Sequence, residues 1–418
     1  MTPTMRAMRT EITNARLADG RLVEIAVEDG LIEALSPSSA AGFENTDGSP
    51  PIDVGGWLLL PAMAEPHAHL DKALTAERVA NPRGDLLGAI EAWNAAALAG
   101  VFTHDTMVVR IRAAVDKLLL SGVTAIRSHI NCGAAGGITH LVAAQEAIAD
   151  YQGLVDIELV ALTHSPMMGT GNEVNRAALA DAIELGVDLV GGCPHLEDDG
   201  SGSIAYDLSA ARSAGLSVDL HVDETLDPTM LTLRDLARMV IDTGFEGRVA
   251  ASHCVSLGMQ TPDVQSAIAR EVAEAGIAVI PLPQTNLFLQ GRDDPTGTPR
   301  GLTAISALRE AGVLVAAGAD NVQDPFNLVG RSDPLETAAL LVMAGHVLPD
   351  DAYEMVSNNV RRAMGLPAIT FKVGDPADFV AIDAPSIRGA IADAPADRMV
   401  FKAGRLVASS STTNTIHR

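Results

Sequence analysis

Apolar and polar residues alternate through residues 10–35 with the two-residue period of a half-buried strand. Asp19–Gly20 and Asp29–Gly30 interrupt the alternation at turn positions, which predicts a β-hairpin. From about residue 57 the pattern changes. Six times an amphipathic run ends at a glycine and passes directly into a short apolar segment. The glycines are Gly122, Gly186, Gly215, Gly247, Gly276 and Gly312, and the segments read VTAIRSH, VDLVGG, LSVDLHVDE, RVAASH, IAVIPL and VLVAAGAD. Glycine after a helix adopts the left-handed conformation without a Cβ clash, so each is expected to cap a helix. Helix, cap and buried strand in repetition predict α/β units on a parallel sheet. WLLLPAMAEPHAHLD precedes the series, and IELVALTH, from Ile157, falls between its first two members. They bring the strands to eight, which favours a closed (β/α)8 TIM-like barrel over an open doubly wound sheet. After about residue 367 the two-residue alternation returns, in DFVAID and RMVFKAGRLVA. The two ends are therefore expected to form one small β-sandwich. Residues 1–56 and 366–418 are its two parts, and residues 57–365 are the barrel.

Composition narrows the picture. Hydrophobic residues make up 47% of the 418-residue chain and aromatics 3%, so aliphatic side chains must fill the core. A net charge of −24 repels nucleic-acid phosphates and anionic lipid, so neither nucleic acid nor membrane is an expected partner. The longest apolar helix candidate, Leu335 to Leu348, is too short for a bilayer and carries Glu336 and His346. Met1 to Gly20 lacks the apolar core of a signal peptide. The three cysteines, Cys132, Cys193 and Cys254, are widely spaced and odd in number, which fits a reducing cytoplasm.

In such a barrel, chemistry gathers at the C-terminal ends of the strands. The first strand ends in EPHAHLDK, and alternation points His67 and His69 to one face. The fifth ends in HVDE, with His221, Asp223 and Glu224; the sixth in SHC, with His253; the eighth in GADN, with Asp320 and Asn321. Four histidines and an aspartate on one rim make a donor set suited to Zn2+ or Fe2+.

These motifs, PxxxEPHxHLD, HxDE, ASH and GxDN, resemble in order and spacing the cytosine deaminase branch of the amidohydrolase superfamily. The resemblance continues through LQGR (289–292), RGLT (300–303) and GDPADFV near the C-terminus. It implies a metal-dependent hydrolytic deaminase of a small nitrogen heterocycle. The alternative is a cyclic amidase that opens a lactam or ureide ring with the same metal-activated water. It implies His67, His69, His221 and Asp320 as metal ligands, Glu224 as proton shuttle and His253 as the contact to the metal's water. Binuclear relatives bridge two metals with a lysine from the fourth strand. The chain's four lysines, Lys72, Lys117, Lys372 and Lys402, all lie elsewhere, so one divalent ion per chain, Zn2+ or Fe2+, is expected. Relatives allow a homo-oligomer, with no interface readable from the residues.

Beside the metal, Asp320 can accept the proton of the water, and His253 can hold the water in line. Glu224 can protonate a ring nitrogen and pass a proton to the leaving amine. Two positions depart from the cytosine enzymes. The Phe-Pro-Gln that ends their third strand is here Leu162, Thr163 and His164, and their second aspartate is Asn321. Both changes alter the hydrogen bonds offered to a ring, so the enzyme is not expected to be specific for cytosine. His164, Asn321, Gln290 and Phe326 are the expected substrate contacts. Asp71 is expected to orient a ligand imidazole from behind. His129 is expected to be a hydrogen-bonded interior residue, with His195 similar, and His104 and His140 to lie on the surface.

Overall fold

The computed structural model describes residues 9–38, 50–134 and 136–417. Seven parallel strands follow one another in chain order: β1 (Met63–Ala68), β2 (Val123–Cys132), β3 (Asp156–Thr163), β4 (Leu189–Gly191), β5 (Ser217–Val222), β6 (Val249–His253) and β7 (Ala278–Ile280). The expected eighth strand closes the barrel by single bridges, Val315 with Val279 and Asp320 with Ala68. It forms no continuous ladder, because other groups take its amides. Ala317 donates to the Met355 carbonyl at 2.8 Å, and Ala319 donates to the buried Glu65 carboxyl at 2.9 Å. Helices pack around the strands, and their apolar stripes meet the outward-facing Val, Ile, Leu and Ala side chains in one large core.

Five of the six glycines expected to cap helices are left-handed, with φ from +67° at Gly276 to +95° at Gly122. Gly247 is the exception. The helix Thr232–Thr243 already stops at Gly244, whose φ is +55°. Gly247 instead lies where a Cβ would sit 2.6 Å from the Phe245 ring. The apolar helix near residue 335 spans Pro334–Met343, and no helix among the described residues is long and apolar enough to cross a membrane.

The two ends build one separate mixed sheet. Its strand order is Arg405–Ser410, Arg398–Lys402, Phe379–Ile382, Leu58–Pro61, Arg9–Arg16, Leu22–Glu28 and Leu31–Pro37, with Ile52–Asp53 beside Arg9–Arg16. Ile12, Ile25, Ile32, Phe379 and Phe401 share its core. Asp378 ties this sheet to the barrel. It accepts from Arg361 Nη1 at 3.1 Å, Lys402 Nζ at 2.9 Å and the Ala403 amide at 2.9 Å.

Candidate metal centre and its cavity

The strand ends bring four donor atoms together. His221 Nε2 lies 3.1 Å from both His67 Nε2 and His69 Nε2. Asp320 Oδ1 lies 3.2 Å from His69 Nε2 and 3.7 Å from His67 Nε2. An ion bound at about 2.1 Å by tetrahedral nitrogen and oxygen donors would separate them by about 3.4 Å. The observed spacings bracket that value. Neither Asp320 oxygen has a hydrogen-bond partner among the described residues, although the side chain is buried. An orphaned buried carboxylate is costly unless a cation meets it. Burial also holds the His67 and His221 imidazoles well below the usual histidine range, leaving the neutral form a metal requires. The residues fit a divalent metal.

Local backbone helps aim this set. Asp320 (φ +66°), His253 (φ +69°) and Asp223 (φ +50°) are left-handed non-glycine residues at strand ends, a strain that clusters at functional sites. Asp223 turns away from the metal set. Its carboxylate accepts from Thr232 N and Oγ1 and from Leu233 N, fixing the chain so that Glu224 faces inward. Glu224 is buried, and its Oε1 lies 3.6 Å from His253 Nδ1. Burial, reinforced by the nearby Asp320, pushes its carboxyl well above the usual range. Burial lowers His253 to about 4, against the pull of Asp320. Asn286 Nδ2 lies 3.2 Å from His253 Nδ1 and holds that ring from behind.

A cavity of about 720 Å³, measured out to its open mouth, adjoins the donors. Glu224, His253, Asp320 and Asn321 line its inner end, and His164, Asn131 and Ser165 lie on another wall. The helix Leu86–Leu98, started by the Asp85 side chain on the Gly88 amide, contributes Leu86, Ile90 and Trp93. Phe326 packs in one cluster with Trp93 and also lines the cavity. Such an apolar wall with few polar groups is the usual make-up of a small-molecule site.

Other expected residues fall in varied places. His164 lines the cavity, with Nδ1 on the Ser165 carbonyl at 2.7 Å, so its Nε2 is left as an acceptor. Asn321 lines it too, but donates to Asp324 Oδ2 at 2.8 Å. Gln290 lies outside this cavity and braces the Glu224 carbonyl at 3.1 Å. Asp71 corrects its expectation. It meets His140 Nδ1 at 2.8 Å and the Asn131 amide at 3.2 Å instead of a ligand imidazole, because the turn after His69 faces it outward to the helix Thr139–Ile148. The ring of His69 is held by the His129 carbonyl at 3.1 Å. His140 is thus largely buried and not a surface residue, whereas His104 is exposed and pairs with Glu146. His129 is interior, but neither ring nitrogen has a hydrogen-bond partner among the described residues; it packs on His67 with ring centres 3.9 Å apart. His195 donates from Nδ1 to the His221 carbonyl, 3.0 Å away.

Sequence reading missed Lys72, Trp93, Asn131 and Cys193 as cavity residues. It also missed Asn286, Ser252 and Asp219 behind the histidines. The retained signal for Lys72 was its place directly after HAHLD. For the others no local pattern distinguishes them from ordinary helix and strand residues.

Comparison with known proteins agrees with this geometry. A family model described as an amidohydrolase family matches residues 94–408. A pterin deaminase of Rhizobium rhizogenes is 32% identical over 398 residues, covering 92% of this chain and 87% of the relative. The crystal structure of 5-methylcytosine deaminase from Klebsiella pneumoniae, liganded with 5-fluorocytosine, superposes with a TM-score of 0.87 at 27% identity, covering 98% of this chain and 99% of that one. N-isopropylammelide isopropylaminohydrolase from Burkholderia multivorans superposes with a TM-score of 0.81 at 27% identity, covering 96% and 98%. By barrel, donor set and whole-length similarity, the chain belongs to the amidohydrolase family of metal-dependent hydrolases acting on carbon–nitrogen bonds, in the branch that resembles cytosine deaminase.

Proposed function

We propose that the chain is a hydrolytic deaminase that releases ammonia or an amine from a small nitrogen heterocycle. It would use one Zn2+ or Fe2+ held by His67, His69, His221 and Asp320. The observation that carries this reading is the placement of Glu224: buried, lining the cavity, and outside the four-donor set. A bound divalent ion supplies an activated water at neutral pH and polarises the atom it attacks. The protein's own groups do the rest. Asp320 takes the proton released at its free oxygen, and His253 Nε2, 4.0 Å from Asp320 Oδ2, keeps the attacking group in line. Glu224, whose burial favours the protonated carboxyl, delivers its proton to a ring nitrogen, which makes the adjacent carbon electrophilic. Its carboxylate then takes the proton of the added hydroxyl as the carbon–nitrogen bond breaks, and the proton on Asp320 passes to the departing amine. Leu86, Trp93 and Phe326 hold a flat ring and exclude water.

Similarity to a pterin deaminase supports a fused two-ring substrate within this class. His164, Asn321 and Phe326 then contact the ring, while Gln290 acts by holding Glu224. The deciding experiment is a substrate panel of pyrimidines, triazines, pterins, creatinine-like rings and lactams, assayed for both ammonia and ring opening. Ammonia or amine release supports the deaminase. Ring opening without either would establish a cyclic amidase instead.

A further inference from the structure

Behind the metal donors a chain of buried polar groups crosses the barrel interior and touches five strands. His67 on β1 meets Ser252 Oγ on β6 through Nδ1 at 2.8 Å. Ser252 Oγ donates to Asp219 Oδ1 on β5 at 3.1 Å. Asp219 Oδ2 accepts from Arg127 Nη1 on β2 at 2.9 Å. Arg127 also donates from Nε and Nη2 to Glu158 Oε2 on β3, at 2.9 and 2.8 Å. His67, Ser252 and Asp219 are fully buried, and Arg127 is 1% exposed.

The donor directions run consistently from one end to the other. If His67 Nε2 offers its lone pair at the donor set, Nδ1 must carry the ring proton. That N–H donates to Ser252, the Ser252 hydroxyl donates to Asp219, and the arginine compensates the carboxylate. No link is a donor facing a donor. Among the three histidine ligands, His67 alone is backed by a hydroxyl and a carboxylate among the described residues. His69 Nδ1 meets a backbone carbonyl at 3.1 Å and Lys72 Nζ at 2.9 Å, and His221 Nδ1 has no partner among the described residues. A buried arginine–carboxylate pair contributes little stability beyond well-packed apolar side chains, so its presence in the barrel interior needs another reason.

We propose that Ser252, Asp219 and Arg127 are positioning residues that fix the tautomer and the orientation of His67 and thereby set the affinity of the chain for its metal. This rests on the reading of His67 as a ligand. An outer carboxylate that holds a ligand imidazole raises its basicity and prevents ring rotation, and losing such a partner typically weakens metal binding by about 10–100-fold.

The test is Zn2+ affinity of the full chain, stripped of metal and titrated against a competing fluorescent chelator. Wild type is compared with Ser252→Ala, Asp219→Asn and the double variant, alongside the unfolding midpoint of each metal-free protein. Expected are losses of about 10–100-fold for each single variant. The double variant is expected to be no weaker than the worse single, because both cut one chain. The Ser252→Ala midpoint is expected to stay near that of wild type. A Ser252→Ala affinity within about twofold of wild type, or losses that multiply in the double variant, would overturn the proposal. Should Ser252→Ala fail to fold, Ser252→Cys, of the same shape but a weak hydrogen-bonding partner, takes its place with the same expectations. His67→Ala separates the two readings. It is expected to lose tight Zn2+ binding, and unchanged affinity there would refute the ligand assignment itself.

Discussion

His67 Nε2 and His221 Nε2 face each other across 3.1 Å of buried space, with His69 Nε2 at the same distance from His221. His67 Nδ1 is turned to Ser252 Oγ, which places its ring proton there, while His69 Nδ1 lies 3.1 Å from the His129 carbonyl and 2.9 Å from Lys72 Nζ. His67 Nε2 then presents a lone pair to this cluster. The carboxylate of Asp320 adds negative charge to the same point. A cation resolves the arrangement. Purified protein is therefore expected to contain about one Zn or Fe per chain by elemental analysis. Chelation is expected to abolish turnover and lower the unfolding midpoint, and the same ion to restore both. Two metals at full occupancy would refute the mononuclear reading.

Glu224 offers the sharpest test of the chemistry. Glu224→Gln keeps the shape of the side chain but cannot exchange a proton. Metal content is expected to be unchanged and turnover to fall at least ~100-fold. Near-normal rates would rule out Glu224 as the shuttle.

His164 decides how the ring is read. A cytosine-type site offers an amide donor and acceptor where His164 leaves one imidazole acceptor. Wild type is expected to turn over cytosine poorly. The mismatched hydrogen bonds cost roughly 1–3 kcal/mol each, or about two to four orders of magnitude for two. His164→Gln is expected to raise cytosine turnover and lower that of the true substrate. Efficient deamination of cytosine by the unmodified protein would contradict this.

Asn321 has a second duty that limits its exchange. Its amide donates to Asp324, whose carboxylate also accepts the Phe326 and Asn327 amides and so shapes the loop carrying Phe326. Burial already raises Asp324 to about 6, opposed by the Asn321 hydrogen bond. Asn321→Asp would replace that donor with a second carboxylate. It is expected to lower stability by about 1–3 kcal/mol at neutral pH, read by denaturant unfolding. Asn321→Asp with Asp324→Asn restores one donor and one acceptor and is expected to recover most of that loss.

Asp378 tests the junction of barrel and terminal sheet. Removing its carboxylate leaves Arg361 and Lys402, both largely buried, without their shared partner. Asp378→Ala is expected to cost about 3–5 kcal/mol in unfolding measurements while leaving the metal content of the folded protein intact. A loss below about 1 kcal/mol would show that solvent reaches the pair.

The barrel was legible in the chain because glycine caps and strand periodicity are local properties. Gly122, Gly186, Gly215, Gly276 and Gly312 punctuate the units, and each strand between them is a short apolar run. His67, His69, His221, His253 and Asp320 were legible for the same reason: each ends such a run, and parallel strands in a barrel end on one rim. Gly247 misled because Gly244, three residues earlier, satisfies the same signal, and only packing against Phe245 distinguishes them. What holds the donors in place was decided by tertiary structure alone. Ser252 meets His67 across 185 positions of chain, and Arg127 meets Asp219 across 92. Asp71 lies two residues from His69 yet bonds His140, 69 positions away. Such pairings depend on barrel closure and strand register, which set the direction of every interior side chain, and no window of neighbouring residues contains that information.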